Sequence, residues 1–136
     1  MNDFKARLGG AQWRKYKDTM VEVGGEELPV VIRRAPPGVA VLVIEEARKA
    51  GDMAEDGRPV GETGALRLLA RMVCTVLFQQ GGVRPLFERD DAEDLATVMV
   101  APWLMDLKDD CMAALGATGA TLEHVKGNSE ATPTGQ

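Results

Sequence analysis

Residues 81–95 read GGVRPLFERDDAEDL, and this stretch decides how the chain divides into secondary-structure elements. The glycine pair at its start supplies the backbone angles of a tight turn, and Pro85 holds the neighbouring residues extended. Asp90 and Glu93 have the spacing of a helix capping box, and the acidic residues around them favour the positive end of a helix. We therefore predict a turn, a short extended segment and a helix whose N-cap is Asp90.

The part of the chain before this stretch begins with a predicted β-hairpin. Residues 16–23 and 28–35 are rich in Val, Ile, Thr and Tyr, and the segment GGEE at 24–27 separates them as a turn. Alternation places one set of apolar residues on a common face of the second strand, so that face must be covered. These residues are Leu28, Val30 and Ile32.

Helices are predicted over most of the remaining chain. Their ranges are 39–50, 62–77, 91–100 and 102–115, with Pro102 placed at the first position of the last one. The clearest is 62–77, in which Arg67 and Arg71 lie outside an apolar stripe. That stripe consists of Ala65, Leu69, Met72, Val73, Val76 and Leu77. Residues 51–61 contain a proline and several charges and are predicted to form an exposed loop.

These segments predict an α+β fold that is mostly α-helical, with an N-terminal β-hairpin followed by a bundle of about four helices. The chain has 136 residues, 45% of them hydrophobic, which fits one domain with a sizeable core. We place this domain at 16–126, after a flexible basic leader at 1–15 and before a disordered tail at 127–136. A short turn over 122–125 is expected to add one further packing point.

The charge and hydropathy patterns limit the partners. A net charge of -5 argues against nucleic acid as the main partner, because such binding depends on basic surface that neutralises phosphates. Trp13 and Tyr16 interleave with basic residues in a pattern that would suit stacking on single strands, but a solvated leader explains them more simply. The longest apolar runs are too short to cross a bilayer, so we predict no membrane insertion and a cytoplasmic location.

Reactive side chains are scarce. The chain has one serine, Ser129, and one histidine, His124, both near the C-terminal end, which disfavours a catalytic triad. Cys74 and Cys111 lie in apolar helical stretches and are predicted to be buried, reduced thiols. The carboxylates near residue 90 lack the ligand spacing of a calcium loop and are explained by helix capping. We predict no catalytic residues, no cofactor and no metal, and hence no enzyme.

The order of these parts resembles one protein family. The chain resembles the small tail assembly chaperones of long-tailed bacteriophages and prophages. The resemblance lies in the hairpin at 16–35, a helix that runs into a glycine turn, the PLF triplet at 85–87, the acidic helix start and the closing NSEATP at 128–133. Two features depart from that layout. Residues 79–82 read QQGG where the family often has an acidic turn, and the basic leader has no counterpart.

The resemblance implies a non-enzymatic protein of the host cell cytoplasm that is absent from the mature virion. Its implied partner is the tape measure protein, which it would keep soluble while helping to recruit subunits of the major tail tube protein. The expected contacts are repeated helix-in-groove contacts along this client. Homo-oligomerisation stays open. The alternative is a structural virion component, such as a tail-completion or neck protein, that forms a ring through the edge of its hairpin.

Five apolar residues are our candidates for binding the partner. A helix break at Pro102 is expected to open an apolar patch around it. The extended triplet after the glycine turn adds two apolar residues that are free to anchor against a core. The candidates are Met99, Trp103, Leu104, Leu86 and Phe87.

Overall fold

The computed structural model of the protein describes residues 13–116, which form the predicted α+β fold with a sheet at the N-terminal side and four helices. The strands are β1 (Lys15–Val23), β2 (Glu26–Arg33) and β3 (Leu77–Gln79), and the helices are α1 (Val39–Lys49), α2 (Gly61–Val76), α3 (Ala92–Met99) and α4 (Leu104–Leu115). The helix α2 lies at the centre and packs against the other three helices.

The hairpin is tighter than predicted. Gly24 and Gly25 both have positive φ, 62° and 85°, which is the backbone of a two-residue type I′ turn. Glu26 and Glu27 therefore belong to β2 and pair with Val23 and Glu22 instead of forming part of the turn. The two-residue turn is favoured over the predicted four-residue turn because its backbone twist matches that of the strands it joins.

The strand β3 was not predicted, since the helix was expected to continue through Leu77. Instead α2 ends at Val76, Leu77 is extended with φ −95° and ψ 117°, and Leu77 pairs antiparallel with Ile32. The sheet order is β1-β2-β3, so β2 is central and Val31 is buried as well as Ile32. Without β3, one edge of β2 would have unpaired backbone N–H and C=O groups. The need to pair these groups overrides the helical preference of the residues around Leu77.

The buried stripe of α2 is shifted by about one residue from the predicted one. Ala65 is exposed and Leu69 only half-buried, while Gly64 and Leu68 face the core instead. Met72, Val73, Val76 and Leu77 are buried as predicted. The last turn of the helix is covered on every side because three helices and the sheet surround it, so the burial pattern there no longer follows one stripe.

Two predicted helix starts need correction. Asp91, not Asp90, is the N-cap of α3, and its carboxylate accepts hydrogen bonds from the backbone N–H groups of Glu93 and Asp94 at 2.9 and 3.0 Å. The last helix begins at Leu104 rather than at Pro102, after a turn in which the Leu104 N–H donates to the carbonyl of Ala101. In both cases the residues before the helix form a turn, and helical backbone angles begin only after that turn.

The predicted leader at 1–15 and tail at 127–136 lie outside the described residues, apart from residues 13–15, of which Lys15 already belongs to β1. The end of the predicted domain at 126 and the turn at 122–125 also lie outside them. Within the described chain, none of the helices has the length and apolar character that crossing a bilayer requires.

Candidate partner-binding surfaces

The patch predicted around Pro102 is not open. Trp103 is 6% exposed and Leu104 2%, so the expectation that both lie on the surface is wrong. The Trp103 indole N–H donates to the carbonyl of Glu22 at 3.0 Å, and its ring stacks on Phe87 with centroids 6.1 Å apart. Trp103 and Leu104 therefore face inward at the start of α4, whereas Val100 and Met105, on either side of the break, are 82% and 63% exposed. Met99 is half-buried.

The other two candidates, Leu86 and Phe87, are half-buried and pack against the core. The Leu86 N–H donates to the carbonyl of Leu77 at 2.8 Å, which ties the extended triplet to the end of α2. Their observed contacts are therefore internal ones. A role of these five residues in partner binding stays a prediction.

A buried charge cluster occupies the loop that was predicted to be exposed. Asp52 is fully buried, and its two carboxylate oxygens accept hydrogen bonds from Arg67 Nη1 and Arg71 Nε, each at 2.8 Å. Arg71 is 7% exposed and also donates to the carbonyl of Arg89 at 3.1 Å. The cluster joins the loop after α1, the helix α2 and the segment before α3. Its bonds are satisfied internally, which is typical of a structural ion pair.

The prediction places both arginines outside the apolar stripe, which is wrong for the buried Arg71, and the sequence does not reveal the carboxylate that they share. Asp52 stands next to Gly51 in a segment that also contains two other acidic residues and a proline, so nothing in the local pattern distinguishes it. Its burial follows from the position of α2, whose two arginines reach across to the loop. Met53 is buried with it at 6% exposure, and the expectation of an exposed loop is wrong at these two residues.

The two cysteines are buried free thiols, as predicted. Burial raises the pKa of the Cys74 thiol to about 12, with a further contribution from the negative charge of Asp94. Burial likewise raises the pKa of Cys111 to about 12. A thiol that stays protonated at neutral pH is a poor nucleophile and a poor metal ligand. Among residues 13–116, no three His, Cys, Asp or Glu side chains converge in a way that would hold a metal ion.

Two surface cavities remain as candidates for binding. The first, which we call the proline groove, has a volume of about 520 Å³ and lies between the corner that follows β2 and the end of α4. Pro36, Pro37 and Val41 line one side, and Ala113 and Leu115 line the other. Val41 is 36% exposed, and Leu42, the next residue of α1, is 58% exposed. Apolar side chains on both walls suit an apolar occupant.

The second cavity, which we call the aromatic pocket, has a volume of about 460 Å³ and lies beside β3. Trp13 and Phe78 meet edge to face with ring centroids 5.6 Å apart, and the Arg33 guanidinium lies 5.5 Å from the centre of the Phe78 ring. Val83, which is 91% exposed, and Pro85 complete the wall. The sequence does not reveal this pocket, because the prediction places Trp13 in the leader and leaves Phe78 outside the helix that was predicted to end at Leu77.

Comparison with protein-family models, with curated proteins and with solved structures gives no match for this chain.

Proposed function

We propose that the protein is a non-enzymatic bacteriophage tail assembly chaperone that binds the tape measure protein, keeps it soluble and helps to recruit subunits of the tail tube. The proposal starts from the resemblance in the order of the glycine turn, the PLF triplet, the acidic helix start and the hairpin. In this proposal the protein acts in the host cell cytoplasm and is absent from the finished particle.

The observation that carries the proposal is the proline groove. An apolar trough of about 520 Å³ with exposed Val41 and Leu42 beside it is the kind of surface on which the apolar face of a client helix is buried. Each CH₂ group that is removed from water there contributes roughly 0.8 kcal/mol. Many weak contacts of this kind along one client give strong coating through multivalency.

The net charge of -5 is consistent with the same role. A coated client carries the charge of every bound copy, and mutual repulsion between coated chains opposes their aggregation. The buried, protonated cysteines support a role that does not depend on thiol chemistry.

A second candidate is a structural virion component that forms a ring. The observation in its favour is that, within residues 13–116, β1 is an edge strand of the three-stranded sheet and pairs with β2 alone. An open strand edge is a template for pairing with another chain, and a head-to-tail arrangement of such contacts closes into a ring.

The test is co-expression with a tape measure protein from the same genome, followed by size-exclusion chromatography with light scattering. The chaperone proposal predicts that the client is soluble only in the complex, with several copies bound, and that purified particles contain none of this chain. A client that is equally soluble alone, or a fixed number of copies in particles, contradicts the chaperone and, in the second case, favours the ring.

A matched pair of variants locates the contact. Val41→Glu places a charge on the wall of the proline groove, and Met105→Glu makes the same change at a 63% exposed residue of α4. Met105 and Ala113 are separated by eight residues of one helix, or about 12 Å along its axis. We expect Val41→Glu to abolish solubilisation of the client and Met105→Glu to preserve it. Equal effects of the two variants on client solubility would show that the client does not bind in the proline groove.

A further inference from the structure

The aromatic pocket has a rigid wall that contains a positive charge. The Arg33 Nη1 group donates to the carbonyl of Trp13 at 3.1 Å while its guanidinium lies against Phe78. Trp13 in turn packs on Phe78. The guanidinium is thus held in place by one hydrogen bond and one aromatic face before any ligand arrives. Such preorganisation lowers the entropy lost on binding.

The pocket also lies at the basic end of the hairpin. Lys15 and Arg33 are directly opposite each other in the register of β1 and β2, and the Arg34 N–H donates to the carbonyl of Arg14. Four cationic residues are therefore concentrated on two adjacent strand ends in a chain whose net charge is -5. Like charges directly opposite each other in a sheet are destabilising, so this arrangement is not explained by stability of the hairpin.

Among residues 13–116, the charge of Arg33 is not compensated by a carboxylate. In the described part of the chain Arg33 and Arg84 form no ion pair with a carboxylate, and Lys15 pairs only with Asp18, with both side chains about half exposed. Exposed pairs of that kind are screened by solvent and salt. The other arginine that lines the pocket, Arg89, is already bound to Glu46 by two hydrogen bonds at 2.8 and 3.0 Å. Arg33 is thus the cation that is available to a ligand.

We infer that the aromatic pocket binds an acidic segment of a protein partner, with one apolar side chain of that segment between Trp13, Phe78 and Pro85 and a neighbouring carboxylate on Arg33. The volume of about 460 Å³ accommodates a large side chain together with neighbouring atoms of its segment. A guanidinium beside an apolar cavity matches a carboxylate beside an apolar residue. The positive hairpin end steers such a segment toward the pocket.

An acidic polypeptide fits this surface better than a nucleic acid does. Nucleic acid requires a basic groove or stripe that follows several phosphates, whereas within residues 13–116 the cations beside the pocket form a compact group at the hairpin end and around Arg84. The remaining negative surface would repel a long polyanion but not a short acidic segment. The inference rests on the proposed function for the identity of the partner, which we take to be the tape measure protein.

The test uses the full-length chain in complex with the tape measure protein. A photo-cross-linking amino acid replaces Val83, which lines the pocket and is 91% exposed, and in a matched control it replaces Met105. Cross-linked peptides are mapped by mass spectrometry with and without nuclease treatment. We expect the Val83 position to capture a client segment rich in Asp and Glu and the Met105 position to capture little.

Charge variants provide the second readout. Arg33→Glu should weaken binding of the client by roughly tenfold or more, and Arg33→Gln, which keeps most of the side-chain length, should weaken it less. Arg58→Glu makes the same reversal at a 77% exposed arginine in the loop after α1 and should leave the affinity unchanged. Changing the mapped acidic residues of the client to lysine should restore binding to Arg33→Glu. Unchanged circular dichroism and thermal unfolding show that the variants fold.

The outcomes separate this inference from the proposed function. If wild type binds the client but Val83 captures nothing, captures a basic or uncharged segment, or Arg33→Glu binds normally, the inference is wrong and the chaperone proposal stands. A nuclease-sensitive adduct at Val83 overturns it in favour of nucleic acid. If wild type does not bind the client at all, the proposed function fails and the inference fails with it.

Discussion

Two arginines of this protein, Arg71 and Arg33, are both partly hidden from water but differ in their partners. Arg71 is 7% exposed and bound to a fully buried carboxylate, that of Asp52. Arg33 lies on an aromatic ring and a backbone carbonyl, without a carboxylate among the described residues. The Arg71 guanidinium therefore forms an internal ion pair, whereas the Arg33 guanidinium can still form an ion pair with another molecule. The presence of a counter-charge, more than burial, therefore separates a structural arginine from a binding one.

The largest effect is expected from removing the shared carboxylate. Asp52→Ala leaves Arg67 and Arg71 without their partner, and breaking a buried pair in this way costs about 3 kcal/mol of the free energy of unfolding. Denaturant unfolding measures the loss. The control is Asp56→Ala, because Asp56 is 57% exposed and forms only surface contacts, a 3.9 Å ion pair with Arg58 Nε and a 3.0 Å hydrogen bond from the Arg58 backbone N–H. Its removal should cost less than about 1 kcal/mol. Equal losses would show that Asp52 is not a structural partner.

The close approach of α2 to the Asp52 loop is the next test. A Cβ atom added at Gly64 would lie 2.6 Å from the backbone oxygen of Asp52, so either the loop or the helix must move. Gly64→Ala should therefore destabilise the fold by about 1–3 kcal/mol, although alanine is intrinsically the better helix former. Thr63→Ala, at the exposed neighbouring position, is the control and should be neutral or stabilising. A stabilised Gly64→Ala would mean that this contact is loose.

A surface carboxylate with a defined local role should have an intermediate effect. Asp91→Ala removes the acceptor for two backbone N–H groups at the start of α3, with an expected cost of about 1 kcal/mol. Asp90→Ala changes the neighbouring carboxylate, which is exposed and does not cap the helix, and should stay within about 0.5 kcal/mol. Thermal unfolding of the two variants distinguishes them. A larger stability loss for Asp90→Ala than for Asp91→Ala would show that Asp90 is the N-cap.

A half-exposed ion pair should contribute less, and in a pH-dependent way. Hydrogen bonds from Arg89 lower the pKa of Glu46 below its ordinary value. The resulting stabilisation is present above the unfolded-state pKa, about 4.3, and is lost as pH falls through the lower folded-state value. The stability difference between wild type and Glu46→Gln should therefore shrink between pH 7 and pH 3. Since the glutamate side chain is 38% exposed, solvent screening keeps this difference below about 1 kcal/mol at neutral pH. A pH-independent difference would contradict the assignment.

The smallest effect on stability belongs to Arg33. Arg33→Ala loses a cation–π contact and a hydrogen bond to the Trp13 carbonyl, each worth about 0.5 kcal/mol, but it also relieves a repulsion of about 0.5 kcal/mol with Lys15 across the hairpin, so the changes partly cancel. We expect the free energy of unfolding to change by no more than about 0.5 kcal/mol. A loss comparable with that of Asp52→Ala would show that Arg33 is structural, and the contrast between the two arginines would disappear.

The local pattern was sufficient for the elements that are decided within a few residues. The hairpin, the central helix with its buried Val73 and Val76, and the acidic start of α3 all follow from alternation, helical periodicity and capping chemistry. The capping residue was wrong by one position, because two adjacent aspartates offer the same chemistry and only the backbone chooses between them. The exposure of the candidate partner-binding residues was not predictable in the same way, since Trp103 is buried by contacts with segments far away in the chain.

The sequence by itself determined the α+β composition, the order of its elements and the burial of both cysteines, because each depends on apolar spacing and turn residues over short distances. Only the tertiary structure decided that Leu77–Gln79 leaves the helix to pair with β2, that Asp52 is buried between two arginines and that Trp13, Arg33 and Phe78 meet in one pocket. Strand pairing, buried charge and pocket formation join residues that are distant in the chain. Their energies depend on distances that exist only after the helices and the sheet have packed.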